Sequence, residues 1–355
     1  MSVRQRPPLG PRVRLAITMG DPAGVGPEVV LRAISTRAVA ARVMPILVGD
    51  LAVWRDTAQR LGQRVRFCAP GSEAPGSIPV VVTSELTQRH RAPGPPPPGA
   101  RAACGGAAYA AILEAVRLVE AGQAAGVVTA PISKAHLAAA GHAFPGHTEL
   151  LAHLAGDVPV RMMMVGGQLR VVLVTTHLAL ADVPRQLSRD AVLQTIILTT
   201  HALQRWFGIE APRIAVAGLN PHAGEQGLFG DEEQRVIGPA VRAARRRGIR
   251  IDGPAAADGL FPQAARGRWD ALVCMYHDQG LAPFKALHFA DGVNVTLGLP
   301  FVRTSPDHGT AFDIAGRAAA DACSMIAAVS LAAALSRPAA TALVRPAGGA
   351  VSEGA

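Results

Sequence analysis

Four stretches of this 355-residue chain end an apolar run in residues that can bind or move charge. Gly126-Val-Val-Thr-Ala130 runs into Pro131-Ile-Ser-Lys134, and Val171-Val-Leu-Val174 runs into Thr175-Thr-His177. Ile214-Ala-Val-Ala217 runs into Gly218-Leu-Asn-Pro-His222, and Ala271-Leu-Val-Cys-Met275 into Tyr276-His-Asp-Gln-Gly280. Ligands of open α/β sheets bind outside the carboxyl ends of strands, which is where these residues fall. His177, His222 and His277 share that position, and three neutral imidazoles can hold a divalent metal with a place left for substrate. Their separations match no short metal motif; only the common placement groups them. Asp278 is suited to orient His277, because a metal-bound histidine gives its other ring N–H to a carboxylate or carbonyl.

Two residue types are almost missing from the chain. Of its 35 basic residues only Lys134 and Lys285 are lysines, and Asn220 and Asn294 are its only asparagines. A composition so biased replaces both types wherever a substitute serves, so the survivors mark either chance or places where chemistry resisted replacement. Lysine differs from arginine as a compact point charge that can lose its proton.

Pro145-Gly-His-Thr-Glu149 precedes the apolar helix Leu150–Leu154 and offers backbone N–H groups, an imidazole and a hydroxyl. That set suits an anion at a helix N-terminus, or else a simple capped helix. His153, on the same helix, reads as structural. The loop from Gly20 to Glu28 is a tight strand-to-helix turn able to approach an anion, but it is not the G-x-G-x-x-G dinucleotide fingerprint. A second glycine-rich segment, Asp307 to Gly316, can equally be a turn before the Ala-rich helix that follows.

The elements that position these residues alternate. Leu15–Met19 reads as a strand, a helix follows from about Glu28 to Ile34, and further strand and helix candidates succeed one another. The class is therefore α/β with a largely parallel sheet. The length suits two domains or one large one, and 49% hydrophobic against 17% charged residues excludes disorder for the bulk. Ala322 to Leu335 reads as a buried helix of small residues. Ala92 to Ala100 reads as a stiff, proline-rich surface loop, and the Gly/Ala/Ser-rich end from about Arg345 as frayed.

Cys68, Cys104, Cys274 and Cys323 form no close pair, so free thiols are expected rather than a disulfide framework. No run of about 18 uninterrupted apolar residues predicts a transmembrane helix. The first apolar run stops at Gly20-Asp21, too early for a signal peptide, and a cytoplasmic location is expected. The net charge of +9 raises nucleic-acid binding, but aromatic residues are 4% and do not interleave with the basic ones. The cluster Arg242 to Arg250 reads as a solvated helix end. Attraction of small anionic ligands fits the charge at least as well.

In this order, the segments Ile17-Thr-Met-Gly-Asp-Pro-Ala-Gly-Val-Gly-Pro-Glu28, Thr129-Ala-Pro-Ile-Ser-Lys134, Pro145-Gly-His-Thr-Glu149, Thr175-Thr-His177, Leu219-Asn-Pro-His-Ala-Gly-Glu225, Tyr276-His-Asp-Gln-Gly280 and Asp307-His-Gly-Thr310 resemble one family. It is the 4-hydroxythreonine-4-phosphate dehydrogenase family of vitamin B6 biosynthesis, and the resemblance spans about residues 13 to 335. It implies a homodimer of two-domain α/β subunits, similar to isopropylmalate and isocitrate dehydrogenases, with the active site in the interdomain cleft. The implied division is residues 1–139 with 286–355, and residues 140–285.

By the same resemblance, His177, His222 and His277 match metal ligands shared between subunits, for zinc or for magnesium, cobalt or manganese. His147, Thr148, Lys285, Asn294 and Arg303 match substrate-binding positions. The segment containing His308, Gly309, Thr310 and Asp313 resembles the nicotinamide-dinucleotide loop of the related decarboxylating dehydrogenases. The implied reaction is NAD-dependent oxidation and decarboxylation of 4-phosphooxy-L-threonine to 3-amino-2-oxopropyl phosphate. Lys285 would stabilise the enolate left by decarboxylation, and Asp278 and Asp258 are candidates for handling protons.

Three features depart from the family pattern: an N-terminal extension, the proline-rich loop, and Gly259 with neighbouring alanines beside the retained Asp258. The last bears on the shape of the cleft, and the alternative substrates are D-threonate or D-erythronate 4-phosphate. The intact Gly146-His-Thr-Glu149 favours a phosphorylated substrate over the aromatic diol carboxylates of more distant relatives. A basic nucleic-acid-binding protein is the rival of another class.

Overall fold

Twelve strands hydrogen-bond into one sheet. In chain order they are β1 Val13–Thr18, β2 Val43–Gly49, β3 Arg66–Cys68, β4 Ser77–Val82, β5 Gly126–Thr129, β6 Arg161–Gly166, β7 Leu169–Leu173, β8 Arg213–Ala217, β9 Arg250–Ala255, β10 Ala271–Cys274, β11 Val293–Leu297 and β12 Val302–Pro306. The sheet order is β3-β4-β2-β1-β5-β12-β11-β6-β7-β10-β8-β9. These positions come from a computed structural model that describes residues 11–337. The extension before residue 11 and the end from Arg345 lie outside the described residues.

β5 and β10 are buried along their whole length and apolar except for Thr129 at the end of β5. That is the pattern of parallel strands covered by helices on both faces. The pairings β12–β11, β11–β6 and β6–β7 are antiparallel, and the others are parallel. The α/β class and the largely parallel sheet agree with the sequence pattern. The antiparallel centre is an addition to it, and its cause is local. Only Gly167 and Gln168 separate β6 from β7, and Gly167 takes φ 51°, so the chain folds back as a hairpin. In consequence β1 to β6 and β12 run one way, and β7 to β11 the other.

The helix Pro98–Glu120 packs on β1, β2 and β5 through a face of small residues including Cys104, Ala108, Ala111 and Ala115. By length and composition alone this helix could cross a membrane although it contains no long uninterrupted apolar run, and half of its most apolar part is buried within the protein. Gly105 lets the short helix Lys134–Ala139 lie against it, since a Cβ there would overlap the His136 carbonyl. All four cysteines are free, as expected.

The proline-rich stretch is largely an exposed loop, as expected, but its end is helical and its middle is fastened to the protein. Pro98 already begins the helix, Pro96 is buried, and the Gly94 N–H donates to the Ala23 carbonyl at 2.8 Å. Pro93 occupies the space that a side chain at Gly316 would need. The stretch is therefore a strap fastened across the Gly20–Glu28 turn and the Asp307–Gly316 segment.

That turn is pinned from below by a buried pair. Asp21, fully buried, receives the Ala23 N–H at 3.1 Å and meets His136 Nδ1 at 2.6 Å, while its own N–H donates to the Pro131 carbonyl at 2.9 Å. Burial raises the Asp21 pKa, and the charge and hydrogen bond of His136 oppose the rise. Removing one member of a buried pair strands the other, at a cost of about 3 kcal/mol. Asp21→Ala should lose about that much in urea denaturation; a loss below about 1 kcal/mol would show that the pair does not hold the turn.

Candidate active site

A cavity of about 440 Å³ opens beside the antiparallel centre of the sheet. Pro131 and Lys134, which follow β5, line it, and so do His177, which follows β7, and His277, which follows β10. β11 contributes Asn294 and β12 contributes Arg303. Two opposed sets of strand ends thus reach one cavity.

Arg303 is 1% exposed, and its contacts are unusual for so buried a charge. Its Nε and Nη2 donate to Thr129 Oγ1 at 3.2 and 2.6 Å, and its Nη1 donates to Thr296 Oγ1 at 3.0 Å. Among the described residues no carboxylate lies within ion-pair distance of it. Burial pulls the guanidinium down to about 9, opposed by the charge of Glu149, and leaves it a cation at neutral pH. A buried cation held only by hydroxyls is costly unless an anion arrives to pair with it.

Two unpartnered polar atoms share its cavity. His147 Nε2 and Asn294 Oδ1 are buried without a hydrogen-bond partner, and both residues line the cavity. Burial depresses the His147 pKa well below the usual histidine value; the Arg303 charge adds to this, and a hydrogen bond with the Ala130 backbone opposes it. The imidazole is therefore neutral at pH 7. The helix His147–Leu154 starts here with Gly146 at its N-cap, and no side chain caps it. Its first-turn N–H groups are free to meet an anion, and Gly146, His147, Thr148 and Glu149 all line the cavity. Of the two readings of this segment, the capped helix lacks its cap.

The cavity also holds Lys285, whose Nζ lies 3.1 Å from Asp307 Oδ2. The rings of His177 and His277 stand 5.9 Å apart between centroids. His277 Nδ1 meets Asp278 Oδ1 at 2.7 Å, which leaves Nε2 outside that contact. Asp278 is thus placed as the orienting partner of His277. Burial lowers the His177 pKa, and the charges of Lys134 and His277 lower it further against Glu149, so it too is neutral and able to bind a metal.

His222 is elsewhere. It lines a second cavity of about 600 Å³ together with Asp258, Phe261 and Tyr276. Among the described residues no three histidine, cysteine or acidic side chains converge as a metal site. The trio does not assemble within one chain, and Asp258 lies with His222 rather than beside Lys285; its carboxylate receives the Gly259 N–H at 2.8 Å.

His308 and Gly309 line the main cavity, whereas Thr310 and Asp313 do not. The Thr310 carbonyl receives the Val25 N–H at 2.9 Å, which joins this segment to the Gly20–Glu28 turn. Next to it lies a smaller cavity of about 250 Å³, lined by Val25, Val29, Ala311 and Ile314 and by the exposed Phe289. It shares Asp307 and His308 with the main cavity. A largely apolar slot adjoining a polar one is what a planar base attached to a reactive ring requires, so these residues fit a dinucleotide.

Three further residues were not singled out from the sequence. Glu149 lines the cavity beside Thr148. Gln279 receives the Met275 N–H at 2.6 Å and donates to the Gly218 carbonyl at 2.6 Å, so it ties the end of β10 to the end of β8. Glu233, nearly buried, receives the N–H groups of Leu219 and Asn220. Glu149 and Gln279 stood inside motifs already noted; Glu233 had no such signal.

Comparison with known proteins follows the same lines. Residues 41–332 match the family described as pyridoxal phosphate biosynthetic protein PdxA. The 4-hydroxythreonine-4-phosphate dehydrogenase of Desulfosudis oleivorans is 49% identical over 341 residues, covering 91% of this chain and 96% of that protein. The enzyme of the same description from Geobacter metallireducens is 50% identical over 329 residues, with the same coverage. The crystal structure of a 4-hydroxythreonine-4-phosphate dehydrogenase from Klebsiella pneumoniae superposes with a TM-score of 0.82 at 40% identity, covering 92% of this chain and 98% of that one.

The depressed pKa of His147 links the cavity to stability. Below the usual histidine value of 6.5 the unfolded chain takes up a proton that the folded chain refuses. Stability is therefore complete above that value and falls as pH drops through it toward the depressed one. His147→Gln should make the fall of Tm between about pH 7 and pH 5 visibly shallower. An unchanged slope would assign the pH dependence to other groups.

Proposed function

The chain belongs to the family of the pyridoxal phosphate biosynthetic protein PdxA, and from that premise we propose that it oxidises and decarboxylates 4-phosphooxy-L-threonine with NAD. The products are 3-amino-2-oxopropyl phosphate and carbon dioxide, on the route to pyridoxal and pyridoxine 5'-phosphate. The observation that carries the substrate class is Arg303, a buried cation without a counterion among the described residues, in one cavity with the unpartnered His147 Nε2 and Asn294 Oδ1. A small molecule with an anionic group for Arg303 and hydroxyl or ammonium donors for the two acceptor atoms supplies what they lack.

The residues divide the work. Arg303, Thr148 and the first N–H groups of the helix His147–Leu154 bind the anionic groups, His147 Nε2 accepts from a donor of the substrate, and together they fix its chain. Asn294 orients a polar substituent. Lys285, paired with Asp307, would stabilise negative charge that develops as carbon dioxide leaves and would return a proton. When bound, the dinucleotide accepts hydride and a divalent cation lowers the energy of negative charge on oxygen. His308 and Gly309 adjoin the slot that would hold the dinucleotide.

His177 and His277 would hold the cation, and zinc, cobalt or a similar ion suits imidazole donors. One chain brings only these two together, so we propose a homodimer in which the His222 turn of a second subunit completes the set, as the resemblance implied. The two-lobed division on either side of the cavity and a cytoplasmic location belong to the same proposal.

The decisive assay compares substrates. NADH formation on 4-phosphooxy-L-threonine and on D-threonate or D-erythronate 4-phosphate should favour the aminated compound by at least about tenfold in kcat/KM, or about 1.4 kcal/mol. Preference for a non-aminated acid would move the enzyme to the sugar-acid branch of the family. A second test concerns Lys285. Arginine keeps its charge but not its size or its readiness to exchange a proton, so Lys285→Arg should fold and bind NAD yet lose at least about tenfold in kcat/KM. Near-parental turnover would take Lys285 out of the mechanism.

A further inference from the structure

The turn that carries His222 adopts a backbone conformation that L-residues avoid. His222, Ala223, Gly224, Glu225 and Gln226 have φ of 54°, 54°, 81°, 41° and 57°, one residue after another. Only one of the five is glycine. In the left-handed region each side chain's Cβ crowds the following carbonyl, so single residues visit it and runs are disfavoured. A run of five persists only where the surroundings over-determine it, and such places gather at functional sites.

What over-determines it here is a carboxylate. Glu233 is 5% exposed and opens a wide π-helical turn, Glu233–Ile237. Its Oε1 receives the N–H groups of Leu219 at 2.7 Å and of Asn220 at 2.8 Å. Its Oε2 receives Asn220 Nδ2 at 3.0 Å, and Glu232 Oε2 receives the same nitrogen at 2.7 Å. The chain entering the turn is thereby gripped by backbone and side chain together. The carboxylate also fills the space over two glycines: a Cβ at Gly218 would come within 2.9 Å of Oε1, and one at Gly224 within 2.7 Å of Oε2. On the far side the turn closes on itself through the Phe229 N–H and the Gly224 carbonyl at 3.2 Å. Asn220 can join this clamp because its amide donates two hydrogens; an aspartate would set a third carboxylate against the two glutamates.

We propose that Glu233 is a positioning residue: through Asn220 and the two backbone N–H groups it holds the left-handed turn, and so fixes the direction in which His222 is presented. This rests on the reading of His222 as a metal ligand, and it adds that the affinity of that metal is set by a carboxylate that does not touch it. Partners that orient a ligand typically change metal affinity by about 10- to 100-fold.

The test uses the full chain and Co²⁺ alone as the probe, with Kd measured by titration and folding followed by Tm. Glu233→Gln replaces an acceptor oxygen by an NH₂ group facing N–H donors. It should weaken Co²⁺ binding at least about tenfold. Adding Ala223→Gly and Gln226→Gly to that variant should recover part of the loss, because glycine enters the left-handed region without penalty. A merely structural role would not respond to those glycines. Asn220→Ala removes only the side-chain half of the clamp and should weaken binding about fivefold; it decides the matter if Glu233→Gln does not fold. His222→Ala separates the two ideas. If it loses Co²⁺ while Glu233→Gln or Asn220→Ala keeps parental affinity, the clamp is refuted and the ligand reading stands. If His222→Ala itself keeps the metal, the ligand reading falls, and the clamp's purpose falls with it.

Discussion

A guanidinium buried in the middle of the sheet, with hydroxyls for partners and no carboxylate to pair with among the described residues, governs how this protein is built. Arg303 reaches Thr129 on β5 and Thr296 on β11, so its hydrogen bonds span three neighbouring strands. Desolvating such a charge opposes folding by several kcal/mol unless something compensates. Here the compensation is partial within the chain: hydroxyl oxygens, and at longer range the charge of Glu149. The remainder falls to a ligand. The neighbourhood agrees with that, since His147 is kept neutral by burial and by the Arg303 charge itself, and leaves Nε2 free. An imidazolium there would repel the guanidinium.

The cavity around Arg303 exists because the sheet changes direction at its centre. In a sheet parallel throughout, strand ends of one set gather along one edge. The hairpin at Gly167-Gln168 reverses β7, and the strands paired beyond it follow that direction. Lys134 after β5 and His177 and His277 after β7 and β10 therefore approach the same space from opposed strands. The Gly20–Glu28 turn, the strap through Gly94 and the segment at Thr310 are fastened to one another at its side. They place an apolar slot against the polar cavity.

Biased composition proved informative in a way that motif spacing was not. Lys134, Lys285 and Asn294, three of the four rare survivors, line the main cavity. The fourth, Asn220, bridges two glutamates at the entry of the left-handed turn. Each position asks for something the abundant residues do not supply: a compact ammonium, or an amide that can donate twice. Asp258 and His222 show the opposite case. His222 follows its strand in the expected format and Asp258 came from the resemblance, yet both open on a separate cavity, because β8 and β9 form the far edge of the sheet.

The sequence by itself determined the class of fold, the strand ends that carry polar groups, and most residues of the main cavity. Those properties are local: apolar runs of strand length, glycine and proline at turns, and side chains whose chemistry is fixed by their type. Only the tertiary structure decided that the sheet is antiparallel at its centre, that His222 stands apart from His177 and His277, and that the proline-rich stretch is a strap. It alone shows that Glu233 receives the N–H groups of Leu219 and Asn220 at the entry of the His222 turn. These depend on contacts between residues distant in the chain, and on backbone angles imposed by what surrounds them. A φ of 54° at a histidine is disfavoured by its own chemistry, so nothing in its neighbours' types announces it. It arises when a buried carboxylate eleven positions further on closes over the turn.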